Sequence, residues 1–241
     1  MTARRGNYGF DAPYAPVILA GGGVIALVLA VLTLATGGTG GLRWLVSALI
    51  FLALAASYVY TTRRGKFAVW AEVLDGLALR GDERVLDLGC GRGAVLLLAA
   101  QRLPAGRAVG VDLWRSVDQS GNAEEATLAN ARAEGVADRV ELHTADMTDL
   151  PFDDGAFDLV VSSLAIHNIR TADARATAVD QAVRVLCPGG RLALADFRHT
   201  RDYASRLRER GLEPSVRGFG WRFWYGGPWA GTSLVTATKP G

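Results

Sequence analysis

Two apolar runs near the start constrain this chain more than anything else in it. "PVILAGGGVIALVLAVLTLAT", Pro16 to Thr36, is 21 residues long and holds no charged side chain. At 1.5 Å per residue such a helix covers about 30 Å, the thickness of a hydrocarbon core. "LRWLVSALIFLALAASYVY", Leu42 to Tyr60, follows a "GGTGG" turn and carries only Arg43, at its outer end. Trp44, Tyr58 and Tyr60 stand where interfacial aromatics sit. A signal peptide has an apolar region of about 7 to 15 residues and leaves the second run unexplained. The pattern predicts a transmembrane helical hairpin, about residues 16–36 and 42–60, behind an N-terminal segment 1–15.

Orientation follows from the flanking charges. Arg4 and Arg5 precede the pair, Arg63, Arg64 and Lys66 follow it, and Arg43 alone lies beside the turn. Basic residues stay in the cytoplasm, so both ends are expected there, in a multi-pass protein of the cell membrane. Gly21 to Gly23 are consecutive rather than spaced by three, so no helix dimer is read from them and the oligomeric state stays open.

From residue 61 to 241 the chain reads as a cytoplasmic domain. The formal net charge is +2 and the basic residues are dispersed, which argues against a nucleic-acid partner. Cys90 and Cys187 are far apart and lack metal-ligand spacing, which argues against a zinc site or a disulfide framework. A helix, "KFAVWAEVLDGLAL", leads in. Five strand-like runs, "RVLDLG", "AVGVDL", "VELHTA", "FDLVVSSL" and "RLALADF", then alternate with helical patterns. Continuous apolar strands of this kind belong to a parallel sheet covered on both faces. "SVRGFGWRFWYGG" and "TSLVTATKP" add two strands with no helix between, a closing antiparallel hairpin. The fold class expected is α/β: a doubly wound, mostly parallel seven-stranded sheet of Rossmann-like type behind the transmembrane hairpin.

In such a sheet ligands lie beyond the carboxyl ends of the strands, beside the first strand-to-helix turn. That turn is "VLDLGCGRG", Val85 to Gly93. Gly89, Gly91 and Ala94 fit the relaxed GxGxxG/A dinucleotide pattern, so the glycines alone leave an NAD(P)-dependent oxidoreductase open. Asp87, two residues before the first glycine, suits a cationic ligand group and repels a pyrophosphate. Asp112 ends the second strand, placed for ribose hydroxyls, and Asp146 with Met147 ends the third, placed for a purine amine and ring.

"VLDLGCGRG", "GVDL", "TADMTDLPFDDGAFDLVVSSLAIHNI" and "LCPGGRLALADF" together resemble the successive motifs of class I S-adenosylmethionine-dependent methyltransferases, over about residues 66 to 200. The branch they look most like includes the ubiquinone and menaquinone methyltransferases. The resemblance implies S-adenosylmethionine as cofactor. It implies a cofactor site in which Asp87 with Gly89, Cys90, Gly91 and Gly93 holds the amino acid portion, Asp112 the ribose and Asp146 with Met147 the adenine; Leu113 and Ser162 complete the set. That branch usually lacks a transmembrane hairpin, and "GWRFWYGGPW" matches no substrate pattern.

Several of these residues have plainer readings. Cys90 reads as a small filler rather than a nucleophile, Met147 as a core side chain, and Trp114 as either an adenine neighbour or a buried indole. "SVDQSGN", Ser116 to Asn122, reads as a polar loop that caps the next helix, with a place in the cofactor cleft as the alternative. The fourth strand leads into "SSLAIHNIR", which puts His167 and Asn168 beside the transferred methyl. His167 is the candidate base or substrate-pocket residue, Asn168 can orient an acceptor oxygen, and Asp196 is a weaker candidate. Trp221, Phe223, Trp224, Tyr225 and Trp229 form either a membrane-facing lip, with Trp224 in the substrate pocket, or ordinary sheet packing. No metal ligand set is read. The function expected is transfer of a methyl group to a small, lipophilic acceptor met at the bilayer. A cofactor-binding membrane scaffold without catalysis is the non-enzymatic alternative.

Overall fold

The computed structural model describes residues 4–115 and 119–241. Ser116 to Asp118, the start of the expected polar loop, lie outside the described residues. Helices α1 (Tyr14–Ala35) and α2 (Gly41–Tyr60) form an antiparallel pair packed through small side chains. Gly23, Ala26 and Ala30 of α1 and Gly41, Ala48 and Ala55 of α2 are buried. A Cβ at Gly23 would stand 2.9 Å from Leu52, so the helices approach as closely as glycine allows. The outward faces are apolar and uncovered: Val17 is 69% exposed and Leu42 68%. Both helices are long and apolar enough to cross a membrane.

The second helix does not end at the domain. A wide π-helical turn, Thr61–Gly65, passes directly into α3 (Lys66–Gly76), giving one rod from Gly41 to Gly76. The chain's own tail holds the bulge: Thr61 Oγ1 donates to the Trp224 carbonyl at 2.7 Å, and a Cβ on Gly65 would collide with the Arg222 carbonyl. "TTRRGK" is therefore not a solvated flank. Thr61, Thr62, Gly65 and Lys66 are buried, and Arg63 and Arg64 alone project. Arg63 lies over the Phe10 ring, 4.5 Å from its centroid, and Lys66 is ion-paired to Asp11.

The sheet has seven strands: β1 (Arg84–Leu88), β2 (Arg107–Asp112), β3 (Val140–Thr144), β4 (Phe157–Ser163), β5 (Leu186–Asp196), β6 (Ser215–Gly218) and β7 (Ser233–Thr238). Their order is β3-β2-β1-β4-β5-β7-β6. The first five are parallel, and β7 runs antiparallel between β5 and β6, as the sequence leads one to expect. Alternate residues of β1 feed opposite faces: Val85 joins the core that holds Trp70 of α3 and Leu96 of α4 (Ala94–Ala100). Leu86 and Leu88 join the core that holds Val179 of α6 (Ala172–Val185) and Tyr203 of α7 (Thr200–Glu209). The strand order reverses between β1 and β4, which opens the crevice at their carboxyl ends.

The tail departs from the expected pattern. The sixth strand stops at Gly218, and Gly220–Phe223 and Pro228–Ala230 are short 3-10 turns. Gly220, Gly226 and Gly227 all have positive φ, which breaks the extended run that the alternating aromatics suggest.

Segment Arg4–Asp11 lies back on the domain as a strap. Glu134, ending α5 (Glu124–Glu134), accepts from the amides of Arg5 and Gly6 at 3.0 and 3.1 Å and from the Tyr8 hydroxyl at 3.0 Å. Asn130 accepts from the Asn7 amide at 2.7 Å.

Candidate functional site

A cleft of about 710 Å³ lies above the carboxyl ends of β1, β2 and β4. Its floor is the glycine turn. Gly89 has φ +71°, and a Cβ there would collide with that of Ala165. Gly91 has φ +51°, and its amide donates to Asp112 Oδ2 at 2.8 Å. Side chains at these two positions would strain the backbone and fill the cradle.

Asp87, Gly89, Cys90, Gly91, Asp112, Leu113, Asp146 and Met147 all border this one space. Asp87 is buried, and its Oδ1 has no hydrogen-bond partner. Burial, with the Asp112 charge adding to it, pushes its carboxyl from 3.8 up to about 7. An unpartnered carboxylate at the cleft floor fits a ligand ammonium and opposes a phosphate. Burial likewise holds the Cys90 thiol well above its ordinary range, so it packs as a neutral filler.

Asp112 is fixed by its neighbours. Its Oδ1 accepts from the Trp114 amide at 2.6 Å and from Asn122 Nδ2 at 3.2 Å. Asn122 thus belongs to the cleft, and α5 starts after Ala123 with no side-chain cap from the loop. Asp146 Oδ1 accepts from the amide and hydroxyl of Thr148 at 2.9 and 2.8 Å, which leaves Oδ2 for a ligand. Trp114 Nε1 donates to Thr144 Oγ1 at 2.7 Å, which ties the indole to the end of β3.

Three residues of the sequence set lie off the cleft wall. Gly93 starts α4 with φ +83°. Ser162 is buried and donates to the Leu88 carbonyl at 2.9 Å, while its neighbour Ser163 reaches the cleft and accepts from Trp70 Nε1 at 2.9 Å. Trp224 sits behind Tyr225, which takes the lining position.

His167 and Asn168 line the wall after β4. His167 Nδ1 lies 2.9 Å from Asp196 Oδ1, within ion-pair range but out of hydrogen-bond alignment. Asp196 is buried at the end of β5 and accepts from the Tyr203 hydroxyl at 3.2 Å and from the His167 amide at 3.2 Å. The imidazole also meets Phe197 edge-on at 4.6 Å.

The facing wall was not legible in the sequence, because it joins parts of the chain that lie far apart. Asp11 is its hub. Both its oxygens accept from Lys66 Nζ at 3.0 and 2.9 Å, Oδ1 from Gln119 Nε2 at 3.1 Å, and Oδ2 from the Tyr225 hydroxyl at 2.8 Å. Its carbonyl accepts from the Tyr58 hydroxyl at 2.9 Å. Gln119 in turn accepts the Arg92 amide of the glycine turn at 2.9 Å. Strap, hairpin base, α3, tail and the loop before α5 thus meet at Asp11. Tyr14 of α1 and Tyr58 of α2 line the cleft directly, so the base of the apolar hairpin is part of its wall.

Known proteins resemble this chain in the same region. Residues 86–194 match the family described as "Methyltransferase domain". A ubiquinone/menaquinone biosynthesis C-methyltransferase, UbiE, of Dinoroseobacter shibae is 36% identical over 135 residues, covering 55% of this chain and 50% of that protein. The chain spans about half the length of the curated relatives it matches. Among solved structures, the cyclase SpnF superposes with a TM-score of 0.61 at 21% identity, covering 75% of this chain and 83% of that one. Geranyl diphosphate C-methyltransferase of Streptomyces coelicolor A3(2), solved with S-adenosylhomocysteine, gives 0.55 at 19%, covering 71% and 79%. Likeness at this identity shows the fold alone. The chain therefore has the Rossmann-like methyltransferase fold, and its residues 86–194 match the methyltransferase domain family.

Proposed function

We propose that this chain is a membrane-anchored, S-adenosylmethionine-dependent methyltransferase acting on a small lipophilic acceptor, with its catalytic domain at the cytoplasmic face. One observation carries the reading: a single cleft has the expected cofactor residues on one wall and the base of an apolar helix pair on the other. The methyltransferase family match and the relatives' names, among them a quinone C-methyltransferase, support the same chemistry and acceptor class.

The cofactor supplies a sulfonium methyl, whose charge falls as transfer proceeds, so alignment and exclusion of water carry much of the acceleration. Asp87 Oδ1 would hold the cofactor's ammonium, Asp112 its ribose hydroxyls and Asp146 Oδ2 its exocyclic amine, and Met147 and Leu113 would pack on its rings. Leu164 and Ala165, beside the glycine turn, narrow the passage toward the acceptor. His167 receives the acceptor's proton at Nε2, and the Asp196 carboxylate beside Nδ1 balances the imidazolium that forms. Asn168 orients the acceptor oxygen. Arg63 and Arg64, exposed where the rod enters the domain, support a cytoplasmic position for that end.

The test is calorimetric titration of the detergent-solubilised full chain with S-adenosylmethionine and, separately, NADH. Saturable binding of the first and none of the second is expected. The reverse result would return the glycine turn to the oxidoreductase reading.

A further inference from the structure

The tail carries an uncharged stretch from Phe223 to Thr238 that the methyl-transfer chemistry does not use. Within it, Trp224–Gly231 folds into a loop against the side of the hairpin. Gly226 marks how deep the loop reaches: a Cβ there would stand 3.1 Å from Leu19 Cδ1 of α1 and 3.8 Å from the Leu54 carbonyl of α2. Leu19 lies three residues inside the first apolar run and Leu54 six residues inside the end of the second. At 1.5 Å per residue those contacts fall about 5 to 9 Å below the domain end of the hairpin's apolar length.

From this depth we infer that loop Trp224–Gly231 is a third membrane element, a wedge immersed at the level of the upper acyl chains, and that the cleft opens beside it into the bilayer. The inference rests on the membrane-anchored reading above and adds to it where the acceptor enters. Four further observations support it. Trp229 at the loop tip is 71% exposed and Trp221 is 61% exposed, a large apolar cost for two indoles left in water. Trp221 stacks on Tyr60, the last residue of α2, at 5.5 Å, which sets it at the level of the interface. The loop pairs its own backbone, as low dielectric demands: the Tyr225 amide donates to the Ala230 carbonyl at 3.1 Å, Ala230 to Gly227 at 3.1 Å and Thr232 to Phe223 at 3.1 Å. Finally, Tyr225 and Ala230 of the loop line the cleft together with Tyr14 and Tyr58 of the hairpin. The acceptor class that fits such an opening is a molecule with a reactive polar head and an apolar tail, its head in the cleft and its tail left among the lipids.

The experiment reconstitutes the full chain in phosphatidylcholine vesicles whose acyl chains carry bromines at a shallow or a deep position, and reads tryptophan quenching. Three proteins are compared: the natural chain, Trp44→Phe and Trp229→Phe, both replacements being at exposed positions. Trp44 reports the hairpin's far end, and Trp229 the loop. Each replacement is expected to remove an emission component that shallow bromines quench more than deep ones. Loss of that component in Trp44→Phe but not in Trp229→Phe would overturn the wedge and leave the anchor standing. No bromine-quenched component at Trp44 would overturn the membrane reading and the wedge with it.

Discussion

Asp87 is expected to make the empty protein less stable as pH rises while making cofactor binding tighter. Its carboxyl sits at about 7 in the folded chain against 3.8 for the free group. A pKa raised by folding means that the native state holds the proton more tightly than the unfolded state. The contribution is fully present below about 3.8 and is lost as pH climbs to about 7. The difference is worth about 4 kcal/mol at most, an order-of-magnitude figure from 1.36 kcal/mol per pKa unit. Asp87→Asn removes the titration with little change of shape. The assay is thermal unfolding of both proteins in detergent between pH 5 and 8.5. The natural chain should fall steadily behind the variant between pH 5 and about 7, and the gap should level off above 7. Cofactor affinity should move the other way, weakening about tenfold in the natural chain from pH 8 to pH 6, as a group titrating near 7 requires, and vanishing in Asp87→Asn. A melting difference independent of pH, or unchanged cofactor affinity in the variant, would refute the role given to the unpartnered carboxylate.

Gly89→Val should abolish cofactor binding, because its Cβ collides with Ala165 and its φ is +71°; calorimetry reads it directly. Asp11→Ala leaves Lys66 buried without its partner and should cost about 3 to 5 kcal/mol of stability, which chemical denaturation would measure. The double variant Asp11→Ala with Lys66→Met should recover much of that loss. A chain beginning at Thr61 lacks the same Asp11 and the strap bonds to Asn130 and Glu134, so it should melt well below the full chain and bind the cofactor more weakly. His167→Gln should lower turnover with little effect on cofactor affinity, and Asp196→Asn should do the same through the imidazole beside it; equal loss of binding and turnover would make His167 a structural residue.

What the sequence disclosed and what it hid divide by range. The glycine turn, the carboxylates ending β1, β2 and β3, and the two apolar helices depend on neighbours a few residues away, and their periods and spacings are legible in a single chain. Asp11 is not legible, because nothing near it suggests that it meets Lys66, Gln119 and Tyr225, residues 55, 108 and 214 positions away. The π-helical turn at Thr61–Gly65 was hidden for the same reason, since its cause is the tail residue pair Arg222 and Trp224. The tail itself misleads locally. Alternating aromatics after Gly218 imitate a strand, while positive φ at Gly220, Gly226 and Gly227 turns the chain into loops that pack on the hairpin. The polar loop ending at Asn122 reads as a cap because it precedes a helix, yet the Asn122 amide is drawn to Asp112 across the loop.

The central claim is that one cleft passes a methyl group from a soluble cofactor to a molecule dissolved in the bilayer. The most direct measurement is to incubate native membranes with the full chain and S-adenosylmethionine carrying an isotopically labelled methyl, extract with organic solvent and follow the label by mass spectrometry. The account predicts a labelled, solvent-extractable small molecule that is absent when Asp87→Asn replaces the natural chain. Label confined to the aqueous phase, or the same extractable product with Asp87→Asn, would contradict it.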